Sequence, residues 1–245
     1  MRRIPLRIGI AGTRGKSSVT RLISSCLREA GFRVLAKTTG SKPVLIFPNA
    51  GEKEISRRGL PNILEGKKIL KIASKLQARA LVSELMSIHP ESSFVESVQM
   101  LKPQILVITN VRLDHLEQMG SSKESVARCL ASSIPKNAKV FIPQREFFPV
   151  FEEIADSMGA KVIRVSEKSF VENSQSDEKS SFFEFEENIQ LALAVAEFLG
   201  IEREVALRGI RKVNPDFGSL KAWVADLGAP PRRFYLVSGF AANDP

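Results

Sequence analysis

Residues 8–18, with the sequence IGIAGTRGKSS, combine glycines, a lysine and serines in an order that can bind phosphate. An apolar run typical of a strand enters a glycine-rich turn, and a run with helical spacing follows it. Glycines let backbone N–H groups converge on phosphate oxygens, and the N-terminus of the following helix adds the positive end of its dipole. Lys16 can reach the β- and γ-phosphates, and Ser17 can bind Mg²⁺. The segment therefore predicts a nucleotide site formed by Gly12, Thr13, Arg14, Gly15, Lys16, Ser17 and Ser18.

This loop departs from the common phosphate-loop pattern, because Ile10 stands where that pattern has a glycine five positions before Gly15. The dinucleotide fingerprint fits less well, since the glycines are spaced three apart without a G-x-G unit. The alternative is a glycine-rich turn that only connects a strand to a helix. The order of strand, turn, Lys-Ser pair and helix favours phosphate binding over that alternative.

The composition is that of a globular protein with a basic surface. The chain has 245 residues, of which 43% are hydrophobic, so it can form one large domain or one domain and part of another. Its formal net charge of +9 favours anionic partners such as nucleotides, polyanions, nucleic acid or anionic membranes. No aromatic residues interleave with the basic positions, and the sequence has one Trp and one Tyr, so base stacking has little support and the leading hypothesis includes no nucleic-acid partner.

The location predicted from the sequence is cytoplasmic. The sequence has no long uncharged apolar run, and its short start leaves no room for a signal peptide before the first predicted strand. Cys26 and Cys129 lie in helix-like segments without a C-x-x-C pattern, so we expect buried free thiols.

Short apolar runs alternate with helical periods along the chain, which predicts an α/β fold with a mostly parallel sheet flanked by helices. Glycine and proline stand where helices are expected to stop. The predicted strands span residues 7–11, 34–38, 80–84, 105–109, 139–142, 161–165 and 234–237. The predicted helices span residues 17–30, 63–77, 93–101, 123–133, 147–158, 187–199 and 202–210. Residues 40–62 are rich in glycine and proline and predict an irregular excursion or small hairpin on the substrate side, and residues 172–181 predict a polar loop.

Two of these strands end in side chains suited to a metal site. Glu84 ends one strand, and Asn110, Asp114 and His115 follow another. Mg²⁺ prefers oxygen ligands, and open α/β sheets place ligands at the carboxyl ends of their strands. The alternatives are a surface carboxylate for Glu84, a helix cap for Asp114 and an ordinary loop residue for His115. The density of polar groups directly after an apolar strand favours a site.

Five segments carry a resemblance to a known family: GTRGKSSVTRL at 12–22, KTTG at 37–40, SELM at 83–86, NVRLDHLEQMG at 110–120 and GFAAND at 239–244. Together they resemble the catalytic subunits of poly-γ-glutamate synthases, within the Mur ligase and folylpolyglutamate synthase superfamily. The similarity extends over essentially the whole chain. The arginine in the loop and the KTTG segment make it more specific than a general Mur-type match.

The resemblance implies an ATP-dependent amide ligase in which a substrate carboxylate attacks the γ-phosphate of ATP. The resulting acyl phosphate is then displaced by the amino group of glutamate. Lys16, Glu84 and His115 are then the expected catalytic residues, with ATP and Mg²⁺ as cofactors.

The resemblance also assigns metal and nucleotide contacts to particular residues. Ser17 and Glu84 are expected to bind the catalytic Mg²⁺, and His115 a second Mg²⁺. Thr39 lies in the loop that approaches this second metal in relatives, and Asn188 falls where the superfamily contacts the nucleotide.

The superfamily continues beyond its AAND-type loop into a C-terminal domain, most of which is absent from this sequence. We therefore expect a Mur-ligase-like ATP-binding domain over residues 1–225, and the start of a truncated second domain over residues 226–245. Many relatives also hold Mg²⁺ with a carbamylated lysine, and this sequence departs from them, because Ala131 falls near that position.

Other functions stay open at this stage. They are a Mur-type or folate-type ligase, an ATP-binding regulatory module without ligase activity, and a nucleic-acid binder on the basic face. For the leading hypothesis the expected partners are glutamate and a poly-γ-glutamate chain, with membrane-protein subunits of a synthase or export complex and self-association as further options. The basic residues Arg57, Arg58 and those of the helix at 63–77 fit a polyanion surface and a solvated helix face equally well.

Overall fold

An eight-stranded, mostly parallel sheet is the main feature of the computed structural model, which describes residues 4–40, 42–57, 59, 62–166, 185–216, 221–227 and 232–238. Its strands are β1 (Leu6–Ala11), β2 (Val34–Lys37), β3 (Val44–Ile46), β4 (Glu52–Glu54), β5 (Ala80–Glu84), β6 (Ile105–Ile108), β7 (Lys139–Pro143) and β8 (Lys161–Val165). The strand order is β4-β3-β2-β5-β1-β6-β7-β8; the β2–β3 and β3–β4 pairs are antiparallel, and the other five pairs are parallel. The predicted α/β class is confirmed.

Helices follow most of the strands, as parallel pairing requires. They are α1 (Lys16–Glu29), α2 (Glu65–Lys75), α3 (Pro90–Ser93), α4 (Leu116–Met119), α5 (Lys123–Ala131), α6 (Pro149–Ser157), α7 (Glu186–Phe198) and α8 (Arg203–Arg211). A π-helical segment, Phe94–Leu101, continues α3. Within the described ranges, no helix is long and apolar enough to cross a lipid bilayer.

The core lies on both faces of the sheet, because successive residues of a strand point to opposite sides. In β5, Ala80 and Val82 pack with α1, α7 and α8, whereas Leu81 packs on the other face with α2, α5 and α6. In β6, Ile105 and Val107 face the side of α1, α7 and α8, whereas Leu106 and Ile108 face the opposite side. Uninterrupted apolar strands buried on both faces are typical of parallel sheets, and they hold β1 at the centre of the fold.

The structure extends the sequence-based assignments in several places. Residues 44–54 form the β3–β4 hairpin inside the predicted excursion, and a strand missed from the sequence, β9 (Lys221–Leu227), pairs antiparallel with β10 (Arg232–Ser238). The predicted domain boundary at 225/226 falls within β9, and the division into domains stays a prediction. The predicted loop at 172–181 and the GFAAND segment lie outside the described residues.

Burial agrees with the sequence-based expectation for the cysteines. Cys26 and Cys129 are buried and free, and burial raises the pKa of the Cys26 thiol to about 12 and that of Cys129 to about 11. The side chains of Lys67, Lys71 and Lys75 on α2 are exposed, which is compatible with both a polyanion surface and a solvated face.

Alanine substitutions at two helical glycines are expected to change the free energy of unfolding by different amounts. A Cβ at Gly209 in α8 would lie 2.7 Å from the carbonyl oxygen of Ser25 and 2.9 Å from Cα of Cys26, both backbone atoms of α1. A Cβ at Gly66 in α2 would meet only the end of the Met100 side chain, at 3.0 Å.

We expect Gly209→Ala to lower the free energy of unfolding by about 1–3 kcal/mol, because two backbones must separate. Gly66→Ala should change it by less than about 1 kcal/mol, because a flexible side chain can move and alanine favours the helix. Urea unfolding followed by circular dichroism measures both, and equal stabilities for the two variants would contradict the proposed α1–α8 contact.

Candidate phosphate and metal site

The glycine-rich loop between β1 and α1 has a backbone shape that excludes side chains at two positions. Gly12 and Gly15 have φ angles of +127° and +74°. A Cβ at Gly12 would lie 2.1 Å from Oγ1 of Thr109, and one at Gly15 would lie 2.9 Å from Oδ1 of Asn188. The sequence forms this loop because only glycine meets both constraints without strain.

The segment that leaves β6 holds this loop in place. The Asn110 carboxamide accepts hydrogen bonds from Oγ1 of Thr13 at 2.6 Å and from the backbone N–H of Arg14 at 2.9 Å. Its Nδ2 donates to the carbonyl of Arg14 at 3.1 Å, and Thr109 Oγ1 donates to the same carbonyl at 2.5 Å. Thr13 Oγ1 in turn accepts from the N–H of Arg112 at 3.0 Å. The loop is therefore held by side chains that come from the neighbouring strand.

Lys16 turns back over the loop at the first position of α1. Its Nζ donates to the carbonyls of Gly12 at 2.8 Å and Thr13 at 3.2 Å. Desolvation lowers the pKa of this ammonium group, while the carboxylates of Glu84 and Asp114 act to raise it. Both hydrogen-bond acceptors are neutral, so the positive charge of Lys16 is directed toward the loop without being cancelled there.

A buried carboxylate from β5 meets the other end of the loop. Glu84 is the last residue of β5, and its Oε2 accepts hydrogen bonds from Ser17 Oγ and from the backbone N–H of Thr39, both at 2.7 Å. Its backbone carbonyl accepts from the buried Nζ of Lys37 at 3.2 Å. The predicted metal residues Ser17, Thr39 and Glu84 therefore lie together.

His115 directly precedes α4 and is linked to the glycine-rich loop through Asp114. Its backbone N–H donates to Asp114 Oδ1 at 2.9 Å, and Asp114 Oδ2 lies 3.4 Å from Nε of Arg14. The His115 side chain is 52% exposed, and its backbone has a positive φ of +47°. The predicted residues thus divide into two groups: Ser17, Thr39 and Glu84 in one, and Arg14 and His115 in the other. Of the remaining predicted residues, Ser18 lies half-buried in the first turn of α1, and Asn188 on α7 lies against Gly15.

Comparison with known proteins places the chain in a family. Residues 10–211 match the family model described as Mur ligase middle domain. The chain belongs to this family. It is 37% identical over 250 residues to the capsule biosynthesis protein CapB of Bacillus anthracis, and 35% identical over 246 residues to the PGA synthase CapB of Bacillus subtilis. These matches cover 99% and 98% of this chain but 52% and 61% of the relatives, so the chain spans little more than half of their length.

The fold is also similar to solved structures. Escherichia coli FolC in complex with ADP superposes with a TM-score of 0.68 and 17% sequence identity, over 86% of this chain and 58% of that one. The resemblance to the Mur ligase and folylpolyglutamate synthase superfamily, predicted from the sequence, is confirmed.

The oxygen atoms of this Mur-ligase-type site fit a Mg²⁺ ion. In the described part of the chain, no three His, Cys, Asp or Glu residues come together as a ready-made metal cluster. Mg²⁺ does not need one, because it keeps several water ligands and is commonly bound by one or two carboxylates and substrate phosphates. The hydroxyl of Ser17 and the carboxylate of Glu84 supply such oxygens beside the loop.

Sequence reasoning missed several buried charges around the site. The Glu96 carboxylate accepts hydrogen bonds from the backbone N–H groups of Met86 and Ser87, and so fixes the turn after Glu84. Arg21, one helical turn after Ser17, is 5% exposed and contacts Glu52 and Asp216. The signal available for Arg21 was an arginine on the apolar face of a predicted helix, whereas nothing in the sequence marked its partners.

We expect Asn110→Ala to lower the free energy of unfolding by about 1–3 kcal/mol, because it leaves buried loop donors without an acceptor. The matched control is Asn49→Ala, since Asn49 is exposed and accepts one local hydrogen bond, from the N–H of Gly51. The control should change stability by less than about 0.5 kcal/mol. Thermal and urea unfolding measure both, and similar losses for the two variants would argue against a specific clamp at Asn110.

Proposed function

We propose that this chain is the ATP-binding catalytic core of an amide ligase that forms γ-glutamyl bonds. The observation that carries the proposal is the Glu84 carboxylate hydrogen-bonded to Ser17 directly beside a glycine-shaped loop that bears Lys16. The similarity to the two CapB proteins supports glutamate as the substrate class.

Each part of the loop has a role in the proposed reaction. The backbone N–H groups of the loop and the start of α1 bind the phosphates, and Lys16 offsets negative charge on the transferring phosphoryl group. Ser17, Glu84 and the Thr39 loop would hold a Mg²⁺ ion, which supplies charge neutralisation at the phosphate oxygens. Asn188, which packs against Gly15, is proposed to contact the nucleotide.

The proposed chemistry needs no covalent nucleophile from the protein. A carboxylate of the growing chain attacks the γ-phosphorus of ATP, so that an acyl phosphate forms and ADP leaves. The amine of glutamate then attacks the acyl carbon, forms the amide and expels inorganic phosphate. Phosphoryl transfer of this kind depends on positioning and electrostatic stabilisation, which the preorganised loop provides.

His115 is proposed to bind a second Mg²⁺ at the acyl end of the site. Its ring is half-exposed beside Asp114, which pairs with Arg14 of the loop. His115 reaches the loop through Asp114 and Arg14, whereas Ser17 is bound to Glu84. The arrangement would separate nucleotide binding, through Lys16, from activation of the acyl group, through His115.

The proposed partners follow from the substrate. Glutamate and a poly-γ-glutamate chain are anionic, which suits a protein of net charge +9. Membrane-protein subunits of a polymer synthase or export complex are proposed as further partners, because the product is a polymer that must be moved after synthesis.

The first test measures phosphate released from ATP by the 245-residue chain, with and without glutamate. Lys16→Ala and Glu84→Gln should lower the glutamate-stimulated rate by at least about 100-fold, because the first removes a positive charge from the transferring phosphate and the second removes the negative charge that would hold Mg²⁺ beside it. Glu84→Gln keeps an acceptor for Ser17 and Thr39 while removing the negative charge. Lys161→Ala and Glu152→Gln, which change exposed residues on β8 and α6, are the matched controls and should retain wild-type rates.

The outcomes separate the candidate functions. Tight ATP binding without glutamate-dependent turnover would contradict ligase activity of the 245-residue chain by itself and favour an incomplete catalytic core or a regulatory module. Turnover that requires a folate or a UDP-sugar acceptor would contradict γ-glutamyl polymer synthesis while keeping the ligase class.

A second test uses the two histidines of the sequence, His89 and His115. We expect His115→Ala to keep the affinity for the Mg²⁺–ATP complex within about twofold but to lower amide formation by about 100-fold, because the second Mg²⁺ loses a ligand while the site at Ser17 and Glu84 is unchanged. His89→Ala is the control, since His89 is exposed and directly precedes α3. Nucleotide affinity is measured by calorimetry and product by mass spectrometry. Equal loss of binding and turnover in His115→Ala would contradict the separate role proposed for this residue.

A further inference from the structure

A network of charged and polar side chains, with Arg21 and Asp216 buried at its inner end, lies next to the proposed metal site. Arg21 of α1 is 5% exposed, and its guanidinium donates to both Glu52 carboxylate oxygens, at 2.5 and 3.1 Å, and to the carbonyl of Asn214 at 3.1 Å. Asn214 Nδ2 also donates to Glu52 at 2.9 Å. The network joins the first helix, the β3–β4 hairpin and the segment after α8.

Asp216 is the member of this network whose charge is poorly compensated. It is 8% exposed, and its Oδ1 lies 3.4 Å from Nε of Arg21 without a hydrogen-bond donor. Arg21 already makes a bidentate pair with Glu52, and although burial acts to raise the pKa of Glu52, the Arg21 contacts leave it lowered. Glu52 is therefore ionised and takes much of the Arg21 charge. A buried carboxylate in the position of Asp216 needs a further positive partner.

The other oxygen of Asp216 is directed toward the proposed metal site. A Cβ built on Gly40 would lie 3.4 Å from Asp216 Oδ2 and 2.8 Å from Ser17 Oγ, so these two oxygens flank the same point. Ser17 Oγ is bound to Glu84, and Thr39, the neighbour of Gly40, is bound to the same carboxylate. The absence of a side chain at Gly40 leaves the space between Asp216 and Ser17 open.

The carboxylates of Glu84 and Asp216 are both buried near Ser17, and like charges repel each other unless a cation lies between or beside them. Mg²⁺ keeps several water ligands, and carboxylates just outside direct reach commonly accept hydrogen bonds from such waters. Resting on the function proposed above, we propose that Asp216 is a second acidic residue of the Mg²⁺ site, binding the metal through one of its water ligands. Arg21, which lies one turn after Ser17 on α1, is then the positioning residue for Asp216.

The test measures binding of Mn²⁺, in place of Mg²⁺, to the 245-residue chain with a non-hydrolysable ATP analogue, by the electron paramagnetic resonance signal of free Mn²⁺. We expect Asp216→Asn to weaken Mn²⁺ binding by about 10–100-fold, the range for partners of metal-bound ligands. Binding of the analogue without metal should stay within about twofold of wild type. Asp156→Asn, which changes an exposed aspartate on α6, is the matched control and should bind Mn²⁺ normally.

Gly40→Ala supplies an independent variant that leaves Arg21 and Asp216 unchanged. Its methyl group would occupy the space between Ser17 and Asp216, so we expect weaker Mn²⁺ binding in this variant as well. If Asp216→Asn does not fold, wild-type Mn²⁺ affinity in Gly40→Ala still overturns the inference, whereas a loss in that variant is shared with Ser17, whose Oγ the new methyl group would approach to 2.8 Å. Circular dichroism establishes folding for each variant.

Three outcomes would overturn the inference. The first is Mn²⁺ affinity within twofold of wild type in folded Asp216→Asn. The second is an equal loss of metal-free analogue binding in that variant, which would indicate a purely structural role. The third, where only Gly40→Ala folds, is wild-type Mn²⁺ affinity in Gly40→Ala. A wild-type chain that binds neither Mn²⁺ nor the analogue would overturn the proposed function together with this inference, whereas normal wild-type binding with unaffected variants would overturn this inference alone.

Discussion

The contact on which the candidate site depends is the shared carboxylate oxygen of Glu84. One atom, Oε2, accepts hydrogen bonds from the hydroxyl of Ser17 and from the backbone of Thr39. These residues belong to the first helix, to the segment after β2 and to the end of β5. A carboxylate that is buried loses its hydration, and charge-assisted hydrogen bonds compensate part of that loss. The same two bonds hold three segments in register, so the oxygens needed for a metal lie together before any ligand binds.

The strand order explains why this contact can form. β1 lies between β5 and β6, so the carboxyl ends of both neighbours flank the loop that follows β1. The chain passes to one side of β1 through β2 and β5, and then to the other side through β6, which makes β1 the point where the strand order reverses. Ligands of open α/β sheets bind at such points. Glu84 approaches the loop from one side and Asn110 from the other.

Much of this arrangement could be predicted from the sequence, because it follows from local patterns. The strand predicted at 80–84 is Ala80–Glu84 in the structure, and the helix after the loop begins at Lys16. Apolar runs bounded by glycine and proline define such elements well, and the carboxyl end of a buried strand then locates Glu84 near the loop. β9 was missed because Lys221–Leu227 mixes charged and small residues with apolar ones, and its pairing with β10 is a tertiary feature.

The network around Arg21 could not be predicted, because its partners are distant in sequence. Arg21 contacts Glu52, 31 positions away, and Asn214, 193 positions away, and no local pattern links them. From the sequence alone, an arginine on a buried helix face conflicts with the hydrophobic pattern, and only the fold supplies the carboxylates that resolve the conflict.

The candidate site carries side chains of both signs. Lys16 and Arg14 lie on the loop, while Glu84 and Asp216 lie beside Ser17. A bare anion would be attracted by the first pair and repelled by the second, and a bare cation the reverse. A nucleotide bound to a divalent cation carries both charges in one ligand, with its phosphates adjacent to its metal. Under the proposed function, this charge arrangement would favour the metal–nucleotide complex over either component alone.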